Sequence, residues 1–169
     1  EKHCARWGPW VSKYLSKPFF EELANTEQRD QILLFNAHRE SPHNPVAMSL
    51  CLKDKNMILG RYWGSKEEIN CLHFEVCYYS PISWALNQGI KFFDPGAGGN
   101  HKLRRGFFTK PSISLHRWYE TRMNHLIRPW LNKVNGIITQ EIEDSNNQLP
   151  FKAKNQRALE EQSTSNINF

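Results

Sequence analysis

Three closely spaced strand-like segments constrain the fold of this chain more than any other feature. They cover residues 31–39 (QILLFNAHR), 45–52 (PVAMSLCL) and 57–63 (MILGRYW). The breaks between them, ESPHN and KDKN, are short and rich in turn-forming residues. Because connections this short join neighbouring antiparallel strands, the sequence predicts a three-stranded antiparallel meander.

Helices are predicted before and after the meander. Ser16 and Pro18 are typical of a helix start and predict a helix to about Thr26. Apolar residues three and four apart predict another helix over 72–88, in which Pro81 should cause a kink or begin a new segment. The remaining predicted elements are strands at 90–93 and 112–118, and a helix over 119–144 with a break at Pro129. This order is that of an α+β or α/β domain with three layers, α/β/α, and we predict the α+β class.

The chain is long enough for one domain followed by a polar tail. Its 169 residues include ten Phe, six Trp and five Tyr, which are enough to build a hydrophobic core. From residue 146 onward the composition is polar. We therefore predict a domain over 1–145 and a tail over 146–169 that a protein partner holds in place.

Charge and cysteine content narrow the classes of function. A net charge of +5 and a pI of about 9.1 suit an acidic partner, without choosing among nucleotide, CoA, RNA and a membrane surface. Cys4, Cys51, Cys71 and Cys77 form no C-x-x-C pair, so we predict free thiols in a reducing compartment and no metal site. No apolar run approaches the roughly 20 residues that a membrane-spanning helix needs.

The segment FFDPGAGGNHKLRRG, residues 92–106, is the first candidate site. Its glycines let backbone N–H groups approach a ligand closely, and three cationic side chains follow them. This composition suits an anion cradle for phosphate, pyrophosphate or carboxylate. The alternatives are a solvated structural loop, or direct catalysis by His101 or Asp94.

The segments LHFEVCYY and GRYWG are further candidates. On an α-helix Glu75 and Tyr79 share a face, and a buried Glu beside a Tyr hydroxyl could act as a general base. Arg61 and the aromatic residues after it could hold a planar or acidic ligand. The alternatives are a core helix and an ordinary aromatic strand end. Ser114-Leu-His116 is a weaker candidate, because a single His on a strand is more often structural.

These segments together resemble a known family. GRYWG, LHFEVCYY and FFDPGAGGNHKLRRG, with Arg6-Trp-Gly near the start, resemble the C-terminal half of FemAB-like, GNAT-fold predicted N-acyltransferases of the peptidoglycan biosynthesis or recognition type. The resemblance covers about residues 6 to 145 and implies a GNAT-like acyl-CoA N-acyltransferase fold with a mostly antiparallel central sheet. The positions it marks for substrate or anion binding are Arg61, Trp63, His73, Gly96, Gly99, Lys102 and Arg105.

The resemblance also implies a chemistry. An acyl group from acyl-CoA, or an aminoacyl group from charged tRNA, would pass to an acceptor amine. Glu75 would be the base, His101 a helper and Tyr79 a proton donor, with no metal required. Nucleic acid would enter only as the tRNA donor. The implied location is the bacterial cytoplasm or the plastid stroma, with possible attachment to the periphery of a membrane complex.

Two departures from the family pattern support an alternative. The family's PGAQGEHK is PGAGGNHK here, so Gly98 replaces Gln and Asn100 replaces Glu. The family's N-terminal GNAT-like half has no counterpart in this sequence. The alternative is a non-catalytic GNAT-like subunit, docked through its tail in a larger organellar assembly, for example in the plastid thylakoid, or in a membrane-associated one.

Overall fold

The structure is a computed structural model that describes residues 15–150. The chain divides into two compact units, Glu1–Ala97 and Gly98–Phe169, and each is described by itself. The Arg6-Trp-Gly motif, Cys4 and most of the predicted tail lie outside the described residues.

The first unit contains a four-stranded sheet in the order β1-β2-β3-β4. Its strands are β1 (Ile32–Ala37), β2 (Ala47–Lys53), β3 (Met57–Ser65) and β4 (Phe92–Asp94). β1, β2 and β3 pair antiparallel, so the predicted meander is confirmed. β4 pairs parallel with β3, which makes the sheet mixed and corrects the expectation of a mostly antiparallel sheet. The physical reason is the helical crossover between β3 and β4, which brings the chain back in the same direction.

The helices of the first unit begin with α1 (Lys17–Asn25), which is followed by a 3₁₀ turn (Glu27–Gln31). The crossover consists of α2 (Leu72–Phe74), a π-helical segment (Glu75–Tyr79) and α3 (Ser80–Asn87). The crossover is therefore not the single α-helix that its apolar spacing predicts. Pro81 lies in the first turn of α3, where its missing N–H is tolerated, so the predicted new segment at Pro81 is confirmed. Helices together with a sheet confirm the α+β class.

A β-bulge interrupts the pairing of β2 with β3. Cys51 pairs with Gly60 and Leu50 pairs with Tyr62, so Arg61 is an extra residue without an opposite neighbour in β2. Bulges of this kind bend a strand and change the direction of a side chain. Arg61 is exposed at this point.

The core lies between one face of the sheet and the crossover helices. Cys51, Ile58 and Ala85 are buried at its centre. The partly buried side chains packed around them are Leu33, Phe35, Trp84, Ile90 and Phe93. Ile58 is 0% exposed. Burial raises the pKa of the Cys51 thiol to about 11, while a hydrogen bond with Ser49 lowers it.

We predict that Cys51 is chemically inert in the native protein. Because the thiolate is the reactive species, a thiol whose pKa is about 11 reacts slowly at pH 8. Alkylation followed by peptide mass spectrometry should modify the exposed Cys71 first and leave Cys51 unmodified until urea is added. Labelling of Cys51 at the rate of Cys71 in the folded protein would contradict this expectation.

The second unit contains α4 (Asn100–Leu103) and α5 (Thr121–Asn147). The Glu120 carboxylate caps α5 by accepting the backbone N–H groups of Arg122 and Met123 at 3.0 and 2.8 Å. Pro129 lies inside α5 without ending it, so the predicted break there is wrong. Among residues 15–150, no helix has the length and apolar character required to cross a bilayer.

The predicted strand at 112–118 is wrong. The segment is in neither a helix nor a strand. Its side chains nevertheless alternate, because residues 114, 116 and 118 contact one another in sequence. Ser114 Oγ lies 2.8 Å from His116 Nε2, and the His116 ring stacks on Trp118. Ile113 and Leu115 are 87% and 95% exposed, so the apolar side of this alternation has no neighbouring strand in the described part of the chain.

Candidate functional site

The π-helical segment determines what surrounds Glu75. The Ser80 backbone N–H donates to the Glu75 carbonyl five residues earlier, which is the π-helical pattern. The Ser80 hydroxyl donates to Glu75 Oε1 at 2.7 Å. The predicted α-helical face pairs Glu75 with Tyr79, whereas the wider turn brings Ser80 to the carboxylate. Glu75 and Tyr79 are both exposed, so the burial expected of Glu75 is absent.

Pro81 and Ser49 together fix this segment to the sheet. In a π-helix the Val76 carbonyl would accept from the N–H of residue 81, but proline has no N–H. The Ser80 N–H is already bonded to Glu75. The buried Ser49 hydroxyl on β2 donates to the Val76 carbonyl instead, at 2.7 Å. Sequence reasoning missed Ser49, although the missing N–H of Pro81 indicates that one carbonyl needs a donor from outside the helix.

An aromatic cluster joins the GRYWG and LHFE segments. The Trp63 and His73 ring centroids are 4.5 Å apart, and His73 lies edge-on to Tyr78 at 5.4 Å. Phe74 also contacts the His73 ring, at 5.4 Å. Two residues predicted for substrate binding, Trp63 and His73, are therefore direct neighbours.

The GRYWG strand also meets the start of the glycine loop. A Cβ added at Gly60 would lie 3.5 Å from the Pro95 backbone, and one added at Gly96 would lie 3.2 Å from the Gly60 carbonyl oxygen. Gly96 has a φ of 85°, a left-handed conformation that favours glycine. Its N–H donates to Asp94 Oδ1 at 2.8 Å, which closes a turn after β4. Glycine is favoured at Gly96 by its positive φ and the tight contact, whereas a Cβ at Gly60 would make only an ordinary van der Waals contact.

The rest of the loop belongs to the second unit. Gly98 and Gly99 have φ angles of 70° and 94°, and the His101 ring lies over Gly99. The Arg105 Nη1 donates to the His101 carbonyl oxygen at 2.7 Å. Burial lowers the pKa of His101, and the charges of Lys102 and Arg105 lower it further. The neutral form of His101 is therefore favoured, beside two cations.

We predict that His101 titrates below its ordinary pKa of 6.5. Because the unfolded chain binds the proton more tightly than the folded protein, this residue should reduce stability as the pH falls through 6.5 and below. Proton NMR should follow the His101 Cε1–H signal, assigned with a His101→Asn variant. Lys102→Ala should move the pKa back toward 6.5. A wild-type value at or above 6.5 would contradict the expectation.

An apolar groove lies on the sheet face opposite the core. It has a volume of about 490 Å³, and its lining includes Phe20, Leu23, Leu34, Met48, Leu50 and Tyr62. The Arg61 guanidinium lies over the Tyr62 ring, with Cζ 5.5 Å from the ring centroid. Local residue patterns do not indicate this groove, because α1 and three strands contribute to it.

The predicted site residues divide between the two units. The first unit brings Trp63 to His73 and Gly96 to Gly60, and it holds Glu75, Tyr79 and Arg61 on exposed positions. The second unit brings Gly99 and Arg105 to His101. No group of three or more His, Cys, Asp or Glu within residues 15–150 is arranged to hold a metal ion.

Comparison with known proteins gives one family match. A family model described as FemAB-like, peptidoglycan biosynthesis/recognition, matches residues 1–153. No curated protein and no solved structure gives a significant match. The match spans most of the chain, including both units as far as they are described.

Proposed function

The chain belongs to the FemAB-like, peptidoglycan biosynthesis/recognition family, and from this premise we propose that it transfers an acyl or aminoacyl group to an amine. Membership points at the family level to peptidoglycan-related aminoacyl transfer. The observation that carries the proposal is the convergence of the motif segments in the first unit. Gly60 meets Pro95 and Gly96, while Trp63 meets His73.

The proposed reaction needs a general base, a general acid and a binding site for the donor. The acceptor amine attacks the carbonyl carbon of a thioester or ester, so a C–N bond forms and a C–S or C–O bond breaks. The ammonium proton passes to the Glu75 carboxylate. The leaving thiolate or alkoxide takes a proton from the Tyr79 hydroxyl, which solvent then reprotonates. The exposure of Glu75 and Tyr79 leaves both accessible to a substrate.

The glycine-rich loop of residues 92–106 supplies the proposed binding site for the donor's phosphates. Lys102 and Arg105 carry fixed positive charge beside His101, and Gly98, where an added Cβ would meet nothing within 4 Å, leaves the backbone open to a ligand. This combination suits the phosphates of CoA or of the tRNA end. Because its pKa is lowered, the neutral form of His101 is favoured, and this form is able to accept a proton.

The test is a transfer assay with both donor classes. Purified protein is incubated with acyl-CoA or with aminoacyl-tRNA, and with a peptide that carries a free lysine amine. Mass spectrometry detects an acylated or aminoacylated peptide. We expect product with one donor class and its loss when Lys102 and Arg105 are both replaced by alanine. Absence of product with every donor and acceptor would overturn the proposal.

A second candidate function rests on the exposed apolar surface of the second unit. Ile113, Leu115, Leu126 and Trp130 are 87%, 95%, 72% and 60% exposed. Large exposed apolar residues are typical of interaction surfaces. We propose as the alternative a non-catalytic subunit of a larger assembly. It predicts that the protein forms a stoichiometric complex in the source cell and that Trp130→Glu dissociates this complex. It also predicts that the isolated chain transfers no acyl or aminoacyl group.

A further inference from the structure

The apolar groove between α1 and the sheet supports an inference beyond the proposed reaction. Leu34 pairs with Leu50, and Leu50 pairs with Tyr62, so the three side chains form one row across β1, β2 and β3. Phe20 and Leu23 of α1 form the opposite wall. Leu34 is 52% exposed, which shows that the groove is open to solvent rather than closed by the described part of the chain.

A positive charge stands at the rim of this groove. Arg61 is the extra residue of the β-bulge, and its guanidinium lies over the ring of Tyr62, which lines the groove. In a regular strand Arg61 would pair with a residue of β2. In the bulge it has no paired residue there, and the direction of its side chain changes. The groove is therefore apolar along its length and cationic at one edge.

We propose that this groove binds a single-chain acyl amphiphile with an anionic head group. The alkyl chain lies between α1 and the row of Leu34, Leu50 and Tyr62, and the head group meets Arg61. The volume of about 490 Å³ falls within the range of roughly 300–1,000 Å³ found for ligand pockets. This binding can occur whether or not the protein catalyses acyl transfer. If the groove also selects an apolar acyl donor, that role rests on the proposed function.

Fatty acids of increasing length provide the first test. Isothermal titration calorimetry with octanoate, decanoate and dodecanoate should show affinity that rises about fourfold for each added methylene until the groove is full. Decanol has the same chain as decanoate without the charge, and it should bind about fivefold more weakly. No binding of dodecanoate, or affinity independent of chain length, overturns the proposal.

Three variants locate the ligand. Leu34→Glu places a charge in the groove at a half-exposed position and should weaken binding of both decanoate and decanol at least about tenfold. Arg61→Ala should weaken decanoate about fivefold and leave decanol unchanged. Leu86→Glu is the matched control, since Leu86 is 72% exposed on α3 and does not line the groove. Circular dichroism and a thermal melt confirm folding of each variant.

The outcomes separate the groove from the proposed reaction. Equal binding by wild type and Leu34→Glu, both folded, overturns the groove assignment whatever the transfer assay shows. Equal loss of decanoate and decanol in Arg61→Ala overturns the head-group assignment. Chain-length-dependent binding in a protein that transfers no acyl group supports the groove and counts against the proposed function.

Discussion

Replacing Ser49 with alanine should lower the free energy of unfolding by about 2 kcal/mol, the cost of leaving a buried acceptor without a donor. Ser49 is buried, and its hydroxyl donates to the Val76 carbonyl at 2.7 Å. Pro81 cannot supply the N–H that this carbonyl would otherwise receive. Urea denaturation followed by circular dichroism measures the loss. Ser112→Ala, at an exposed position, is the matched control and should change stability by less than about 0.5 kcal/mol.

A double-mutant cycle tests the assigned cause. Pro81→Ala restores an N–H at the position that a π-helix uses to satisfy Val76, although it also leaves a small gap at a buried residue. Ser49→Ala should therefore cost less in the Pro81→Ala background than in the wild type. An equal cost in both backgrounds would mean that Ser49 does not replace the missing proline N–H.

Glu75→Gln should reduce acyl transfer by about 100-fold or more, the usual effect of removing a general base. Glutamine keeps the shape and can still accept the Ser80 hydroxyl, but it cannot take the ammonium proton. Because Glu75 is exposed, stability should stay within about 0.5 kcal/mol of wild type. The measurement is the rate with the donor that the transfer assay identifies.

Glu141→Gln is the matched control for Glu75→Gln. Glu141 is an exposed carboxylate on α5, outside the proposed machinery, and its replacement should leave the rate unchanged. If folded Glu75→Gln transferred the acyl group at the wild-type rate, Glu75 would not be the general base. That result would leave the family membership intact, since membership rests on the whole matched segment.

The meander and the family were predictable from sequence, and the reasons differ. Strands 32–37, 47–53 and 57–65 are joined by connections of nine and three residues, so strands that follow each other in sequence pair with each other and the local pattern suffices. The family match confirms the resemblance carried by the motif segments. The parallel partner of β3 was not predicted, although the predicted helix between the two strands favours parallel pairing, because the expectation of a mostly antiparallel sheet came from the family resemblance.

Three further features were missed because they depend on backbone geometry or on tertiary contacts that local patterns do not encode. The spacing of apolar residues identifies the crossover as helical, but it does not reveal that one turn, Glu75–Tyr79, is π-helical. The hydrogen bond between Ser80 and Glu75 was therefore not predicted. Alternation at 112–118 satisfies the strand pattern, yet a strand also requires a neighbour that supplies hydrogen bonds. The contact of Trp63 with His73 is tertiary, and the two residues are ten positions apart on different elements.

The parallel pairing of β3 with β4 has a consequence for the order of folding. The meander closes over connections of nine and three residues, whereas Met57 must pair with Phe92, 35 residues later, before β4 can form. The larger loop costs more chain entropy and forms more slowly. We therefore expect the meander to form early, and the contact of Gly60 with Pro95 to be among the last to appear. By the same logic, a mildly destabilised protein would lose its candidate site by local opening while most of its sheet persisted.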